Sequence, residues 1–80
     1  MTTLRIDLNE AFQDVAQGPA LLQVIPTGST VLVHIGDQNP GDSGRDNTHQ
    51  VTDDLSYTGR QKMFVRADTG SATIIVTEVV

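Results

Sequence analysis

Cysteine and tryptophan are absent from this 80-residue chain, and its aromatic residues are two phenylalanines and one tyrosine. The lack of thiols excludes disulfides and thiolate metal sites, which stabilise many domains of this size. A chain this short buries only about 60–65 % of the surface that its unfolded form exposes, so its core is thin. We therefore expect residues 1–80 to form a single domain that gains further stability by oligomerisation.

Basic residues are also scarce: five Lys and Arg stand against ten Asp and Glu, and the net charge is −5. This balance argues against a nucleic-acid partner, because a phosphate backbone is bound by clustered Lys and Arg. No apolar run approaches the roughly 18 residues that span a bilayer, and no basic region followed by an apolar core opens the sequence. We expect no membrane partner, no signal peptide and synthesis in a cytoplasm.

Motifs for catalysis are missing as well. The nucleophile motif G-x-S-x-G does not occur, and the two histidines, His34 and His49, lack a zinc-binding spacing. A long loop carries four oxygen ligands of the kind that Ca²⁺ prefers: Asp37, Asn39, Asp42 and Asp46. Their spacing does not match the calcium-loop pattern, and a solvated acidic loop is the simpler interpretation. We expect no catalytic, cofactor-binding or metal-binding residue and hence no enzyme, while calcium binding by the loop stays open.

The chain is rich in residues that favour strands, with nine Val, five Ile and ten Thr. Alternating apolar positions predict a first strand with one buried face: Leu4, Ile6 and Leu8. That strand could pair within its own subunit or reach a neighbouring one. Two further strands are predicted over Ala20–Ile25 and Thr30–Ile35, separated by a turn that contains Pro26 and Gly28.

A short helix is predicted between the first two strands. Its apolar residues recur at spacings of three and four: Phe12, Val15 and Ala16. Asn9 is a suitable N-cap, Glu10 lies near the positive end of the helix dipole, and Gly18 followed by Pro19 is a suitable stop.

The segment Gly36–Gly59 predicts a long acidic, Gly-rich loop, since it holds four of the seven glycines and five aspartates. A loop of that length without any structure would be unusual in so small a domain. We expect a short strand near Gln50–Thr52, and three residues that attach this part to the core: Val51, Leu55 and Tyr57. The Gly-rich half, Gly36–Asn47, is expected to be exposed and mobile.

The largest concentration of core-forming residues lies in two runs near the C-terminus, Met63–Ala67 and Ala72–Val80. Asp68-Thr69-Gly70-Ser71 joins them, and apolar runs on either side of such a loop predict a β-hairpin. The complete pattern predicts an all-β fold: a small antiparallel β-sandwich or barrel-like domain with one candidate short helix and a long acidic Gly-rich loop.

Several strands are apolar on both faces, because four residues oppose the main core rows: Leu21, Leu32, Phe64 and Ile75. Two interpretations stay open and are compatible with each other. A two-layer sandwich would bury these residues internally, whereas an interaction surface would present them to a partner. The candidate interface residues are Leu4, Ile6, Leu8, Leu32, Phe64 and Ile75.

The order of the segments is similar to that of small virion proteins of tailed bacteriophages. The similarity extends from Val15 to Glu78 and is carried by Val15-Ala16, Leu22-Gln23-Val24, Val31-Leu32-Val33, Pro40, Phe64-Val65-Arg66-Ala67, Gly70-Ser71 and Ala72-Thr73-Ile74-Ile75-Val76-Thr77-Glu78. This resemblance implies a β-rich structural subunit of the virion, assembled as a homotrimer.

Three classes of function follow. The leading expectation is a capsid decoration (cement) protein that contacts the major capsid protein or other virion proteins and stabilises the head shell. The alternative is a fibre, tail or host-attachment subunit that binds through the loop at residues 36–59. A small metal-dependent enzyme or regulator is the third class, and no motif supports it.

Overall fold

The computed structural model describes residues 2–25, 29–41 and 48–78, and they form an all-β domain, which confirms the predicted fold class. The strands within these ranges are β1 (Thr2–Leu8), β2 (Gln13–Gln17), β3 (Ala20–Ile25), β4 (Val31–Gly36), β5 (His49–Val51), β6 (Asp54–Tyr57), β7 (Lys62–Ala67) and β8 (Ala72–Glu78). The turn predicted at Pro26 and Gly28 lies outside the described residues.

Two four-stranded antiparallel sheets pack against each other as a β-sandwich. The first sheet has the order β1-β8-β3-β6, and the second has the order β2-β7-β4-β5. Alternate residues of both sheets point inward and form one core. Its largest fully buried side chains come equally from the two sheets: Leu22, Val24, Ile74 and Val76 from the first, and Val31, Val33, Met63 and Val65 from the second.

The hairpin predicted for β7 and β8 is wrong. They do not pair with each other, because β7 lies between β2 and β4 while β8 lies between β1 and β3. The chain crosses from one sheet to the other at Asp68–Ser71, where Gly70 has a φ of 70°. This crossing places both apolar runs at central positions, where each gains a neighbouring strand on either side and faces the other run across the core.

The predicted helix is wrong, since Gln13–Gln17 is strand β2. It pairs with β7, and the register shifts between Asp14 and Ala16. This β-bulge brings Val15 and Ala16, which are consecutive, to the buried side together. Phe12 belongs to a separate cluster, so the three residues that suggested one helix face lie on opposite sides of the sheet. Asn9 does cap a turn, because its Oδ1 accepts a hydrogen bond from the Ala11 N–H at 2.9 Å.

The segment Gly36–Gly59 contains more regular structure than its sequence predicts. The short strand expected near Gln50–Thr52 is confirmed as β5, and β6 was not predicted. The expected attachments are present: Val51 is buried, and Leu55 and Tyr57 pack against the core. The two strands are the terminal strands of their sheets, at the edges opposite β2 and β1, so residues 49–57 lie on the far side of the sandwich from β1.

Candidate functional site

A second apolar cluster lies on the outer face of the second sheet. It consists of Phe12, Leu32 and Phe64, whose exposed fractions are 7, 2 and 4 %. Leu32 and Phe64 point away from the core as expected, but the chain itself covers them. These two candidate interface residues are therefore not available to a partner in the folded subunit.

Arg66 holds residues 9–12, the segment between β1 and β2 that covers this cluster. Its side chain is buried, and its Cζ lies 5.9 Å from the centroid of the Phe12 ring. Arg66 Nε donates to the Ala67 carbonyl at 2.9 Å, and Nη2 donates to the Asp68 carbonyl at 3.2 Å. An ion pair of 3.8 Å joins Arg66 Nη2 to Glu10, whose other oxygen accepts the Gly70 N–H. The covering segment is thus tied to the crossing between β7 and β8.

His34 completes the cover from the β4 side. Its ring is half-buried, with its centroid 6.4 Å from the ring centroids of both Phe12 and Phe64. Asn39, one of the four candidate calcium ligands, donates from Nδ2 to the Phe12 carbonyl at 3.0 Å. Its Oδ1 accepts the Gly41 N–H at 2.9 Å. The amide nitrogen therefore holds the 37–41 segment against this face, and the amide oxygen closes a turn within the segment.

The described residues bring no three His, Asp or Glu side chains together as a metal-binding group. Asp37 and His49 are exposed, and two further candidate calcium ligands, Asp42 and Asp46, lie outside the described ranges. Tyr57 has a structural role, because its hydroxyl accepts the Gln61 N–H at 3.0 Å and its ring lies against Gly59. Within the same ranges, no helix has the length and apolar character needed to cross a membrane.

The outer face of the first sheet is open by comparison. Leu21 is 45 % exposed there, and Ile75 is partly buried between Arg5 and Gln23 on the neighbouring strands. Hydroxyl groups surround them: the Thr3 and Thr77 hydroxyls lie 2.9 Å apart, and the Thr73 hydroxyl donates to Asp7 Oδ1 at 2.9 Å. Leu21 and Ile75 are diagonal neighbours on β3 and β8, so this face combines a small apolar pair with polar side chains around it.

The inward-facing side chains of β1 are Leu4, Ile6 and Leu8, and the rest of the domain buries this row only at the Leu8 end. Leu8 is 2 % exposed, Ile6 is partly buried, and Leu4 is 49 % exposed. The strand pairs with β8 along all seven residues, and its other edge ends the first sheet. Asp7 on this strand lies 4.0 Å from Arg5, and both side chains are exposed. An edge strand with an exposed leucine and self-complementary charges is the clearest candidate interaction site.

Sequence reasoning missed two parts of this arrangement. Leu21 was recognised as opposing the core row but was not among the candidate interface residues, although it is more exposed than Ile75. The structural role of Arg66 was also missed, and the signal for it was a charged residue inside the otherwise apolar run Met63–Ala67. Such a residue needs partners, because burying an unpaired charge is very costly.

The features that remain open to a partner belong to one side of the molecule, the first sheet with its β1 edge. Leu4 and Leu21 are the large apolar side chains exposed in the part of the chain that the structure describes. No protein-family model matches this chain, and no curated protein matches it either. The function is therefore inferred from the surface of the first sheet and from the pattern of the sequence.

Proposed function

We propose that this chain is a structural virion protein of a tailed bacteriophage, most specifically a capsid decoration protein. It binds between major capsid subunits and stabilises the head shell by protein–protein contacts. The support from the sequence is the resemblance between Val15 and Glu78. The observation that carries the proposal is the unequal cover of the two sheets.

The two outer faces differ in a way that suits binding on one side. The second sheet has its own cover, built from Phe12, His34, Asn39 and Arg66. The first sheet leaves Leu21 and Ile75 accessible beside a row of Thr hydroxyl groups. Exposed apolar side chains that lie together mark protein–protein interfaces, so the first sheet is the side that contacts the shell.

The acidic residues are placed so that they can face solvent. Asp37 is exposed in the 37–41 segment, which lies against the second sheet and therefore faces away from the shell, and Asp53 is exposed in the turn between β5 and β6. Carboxylates at the outer edge of a densely decorated particle repel those of other particles, which reduces aggregation. The net charge of −5 is therefore expected to keep decorated particles apart in solution.

Binding to shells tests the proposal directly. Capsids assembled from the major capsid protein of the same genome are mixed with the purified chain and sedimented. We expect saturable binding at many copies per shell and a higher melting temperature of the decorated capsid. Absence of binding to these shells contradicts the decoration function.

One pair of substitutions separates the two sheets as binding surfaces. Leu21→Glu places a charge on the exposed first-sheet face and should reduce capsid binding about ten-fold or more, because a carboxylate must then be desolvated. Gln50→Glu adds the same charge at an exposed position of β5 in the second sheet and should leave binding unchanged. Equal effects of the two substitutions contradict the first sheet as the contact.

The alternative function is a fibre, tail or host-attachment subunit that binds through residues 36–59. Tyr57 is the aromatic residue of that segment, and it is occupied by its contacts with Gln61 and Gly59. A ring held in this way is a poor platform for stacking on a sugar, which favours the decoration function. Binding to purified tails or host cells, with none to capsids, would support the alternative.

A further inference from the structure

We propose that a second copy of this chain pairs with the free edge of β1, so that the two first sheets join into one antiparallel sheet of eight strands. The two-fold axis passes between Ile6 and the partner's Ile6. This contact deepens the proposed function and rests on it for the expectation of self-association. Its surface, register and test are independent of capsid binding.

Of the four edge strands of the sandwich, β1 is the least protected against pairing with another strand. β1 has seven residues and pairs with β8 without any register shift. The other edge strands are shorter: β5 has three residues, β6 has four, and β2 has five with a bulge. Short strands and bulges are devices that prevent edge pairing, whereas a long regular edge is a template for another strand.

The backbone of β1 is oriented for such pairing. The Asp7 carbonyl accepts a long hydrogen bond of 3.5 Å from Gln13 Nε2 on β2, so it points away from β8. In a strand, successive residues direct their N–H and C=O groups to opposite edges, so those of Thr3, Arg5 and Asp7 face the free edge. These residues can therefore supply the hydrogen bonds of a new ladder.

The charges on β1 select one register. With the axis at Ile6, Arg5 lies opposite the partner's Asp7 and Asp7 lies opposite the partner's Arg5, which gives two cross-strand ion pairs. An axis at Arg5 or Asp7 would place like charges opposite each other, which is destabilising. A register with the axis midway between two consecutive residues of β1 would place the polar row of one copy beside the apolar row of the other, which is also unfavourable.

The same register completes the apolar row. Leu4 lies opposite the partner's Leu8, and a two-fold axis normal to the sheet keeps the inner faces of both copies on one side. Leu4, which is 49 % exposed in the single subunit, is then adjacent to apolar side chains from both copies. The contact thus covers one of the two large apolar side chains that are exposed among the described residues, and it matches the charges beside it.

A charge swap tests this register. The full chain is studied by sedimentation velocity over a range of concentrations, and we expect a dimer that dissociates on dilution. Arg5→Asp places two Asp pairs across the axis and should raise the dissociation constant about ten-fold or more. Adding Asp7→Arg to Arg5→Asp restores opposite charges in the same register and should restore the dimer.

Lys62→Asp is the matched control. It makes the same change of charge at an exposed ion pair, Lys62 with Asp14, that lies on the second sheet. We expect its dimer to be as stable as that of the unsubstituted chain. If Lys62→Asp and Arg5→Asp weaken the dimer equally, or if the double swap fails to restore it, the register is overturned.

Cross-linking gives a second readout in a chain that has no cysteine. Ile6 and the partner's Ile6 form a pair without hydrogen bonds between them, with Cα atoms about 4.5 Å apart, which is within the range that a disulfide spans. Ile6→Cys should therefore give a covalent dimer on mild oxidation. Leu4→Cys should not, because its counterpart is the partner's Leu8.

The remaining outcomes each decide the question. A chain that stays monomeric at all concentrations, or that forms the homotrimer implied by the resemblance, overturns the two-fold contact. Cross-linking through Leu4→Cys in place of Ile6→Cys overturns the register. If the chain binds capsids as a monomer, the proposed function stands and this contact is wrong. If it forms the dimer but does not bind capsids, the contact stands and the proposed function is wrong.

Discussion

Arg66 shows how one charged side chain is accommodated inside a thin apolar domain. It is 5 % exposed, and its guanidinium group has the Ala67 and Asp68 carbonyls, Glu10 and the Phe12 ring around it. A planar group with several fixed donors can satisfy these partners together, whereas the ammonium of Lys is a compact point charge. The position therefore requires arginine and not merely a positive charge.

Removing this side chain should destabilise the fold. Arg66→Ala removes the donors of two hydrogen bonds and the ion pair with Glu10 and uncovers Phe12, so we expect a loss of about 2–4 kcal/mol in the free energy of unfolding. Arg66→Lys should recover part of this loss. Urea unfolding measures both values, and Lys62→Ala is the control because the Lys62–Asp14 pair is exposed, lies outside the β1 contact and should contribute less than about 1 kcal/mol. Similar losses at positions 62 and 66 would contradict the structural role of Arg66.

The segment between β1 and β2 is an element without regular hydrogen bonding that nevertheless covers a sheet. The Asn9 carbonyl accepts the Ala67 N–H at 2.8 Å, and the Phe12 carbonyl accepts the Asn39 amide. The side chain of Phe12, at the second of these anchors, packs on Leu32 and Phe64. The segment is thus a small third layer over part of the second sheet.

Phe12→Ala should detach this layer. The substitution removes a side chain that is 7 % exposed from the centre of the outer cluster, and we expect a loss of about 2–4 kcal/mol. Leu21→Ala removes an apolar side chain that is 45 % exposed and should cost less than about 1 kcal/mol. Chemical unfolding compares the two, and increased binding of an apolar dye to Phe12→Ala would report the uncovered face. Equal losses would show that the segment does not protect the cluster.

The elements also show which parts of the fold the sequence could predict. Alternation and β-branched residues located β1, β3, β4, β7 and β8 nearly to the residue. Strand partners were not predictable, because an apolar strand, a Gly-containing loop and a second apolar strand look the same in a hairpin and in a crossing between sheets. The residues that suggested a helix lie on both sides of the second sheet, because a spacing of three joins opposite faces of a strand and the bulge in β2 adds Ala16 to the buried side beside Val15.

The candidate site was predictable in outline for the same physical reason. Alternation correctly indicated that Leu32 and Phe64 point away from the core, but nothing in the pattern showed that Phe12 and Arg66 would cover them. In β1, the inward direction of Leu4 follows from the sequence. Its exposure depends on where the opposite sheet ends, which is a property of the packed sandwich.

The molecule as a whole is asymmetric in the surfaces that it offers. One sheet carries its own cover, the other leaves Leu21 and Ile75 accessible, and the free edge of β1 adjoins the open side. A small domain without disulfides has few other sources of stability, so a contact between copies would add to a thin core. Assembly and stability are therefore expected to be coupled.

This coupling gives a prediction for thermal unfolding. A dimer that forms only between folded chains is stabilised by mass action, so its melting temperature should rise with protein concentration. A ten-fold increase in concentration contributes about 0.7 kcal/mol per chain, which corresponds to about 3–5 °C for a domain of this size. Calorimetry of the unsubstituted chain and of the Lys62→Asp control should show this rise, whereas Arg5→Asp should show a smaller rise at the same concentrations because more of its chains are monomeric. High salt should diminish the rise by screening the Arg5–Asp7 pairs across the axis, and a melting temperature that is independent of concentration in the unsubstituted chain would contradict the coupling.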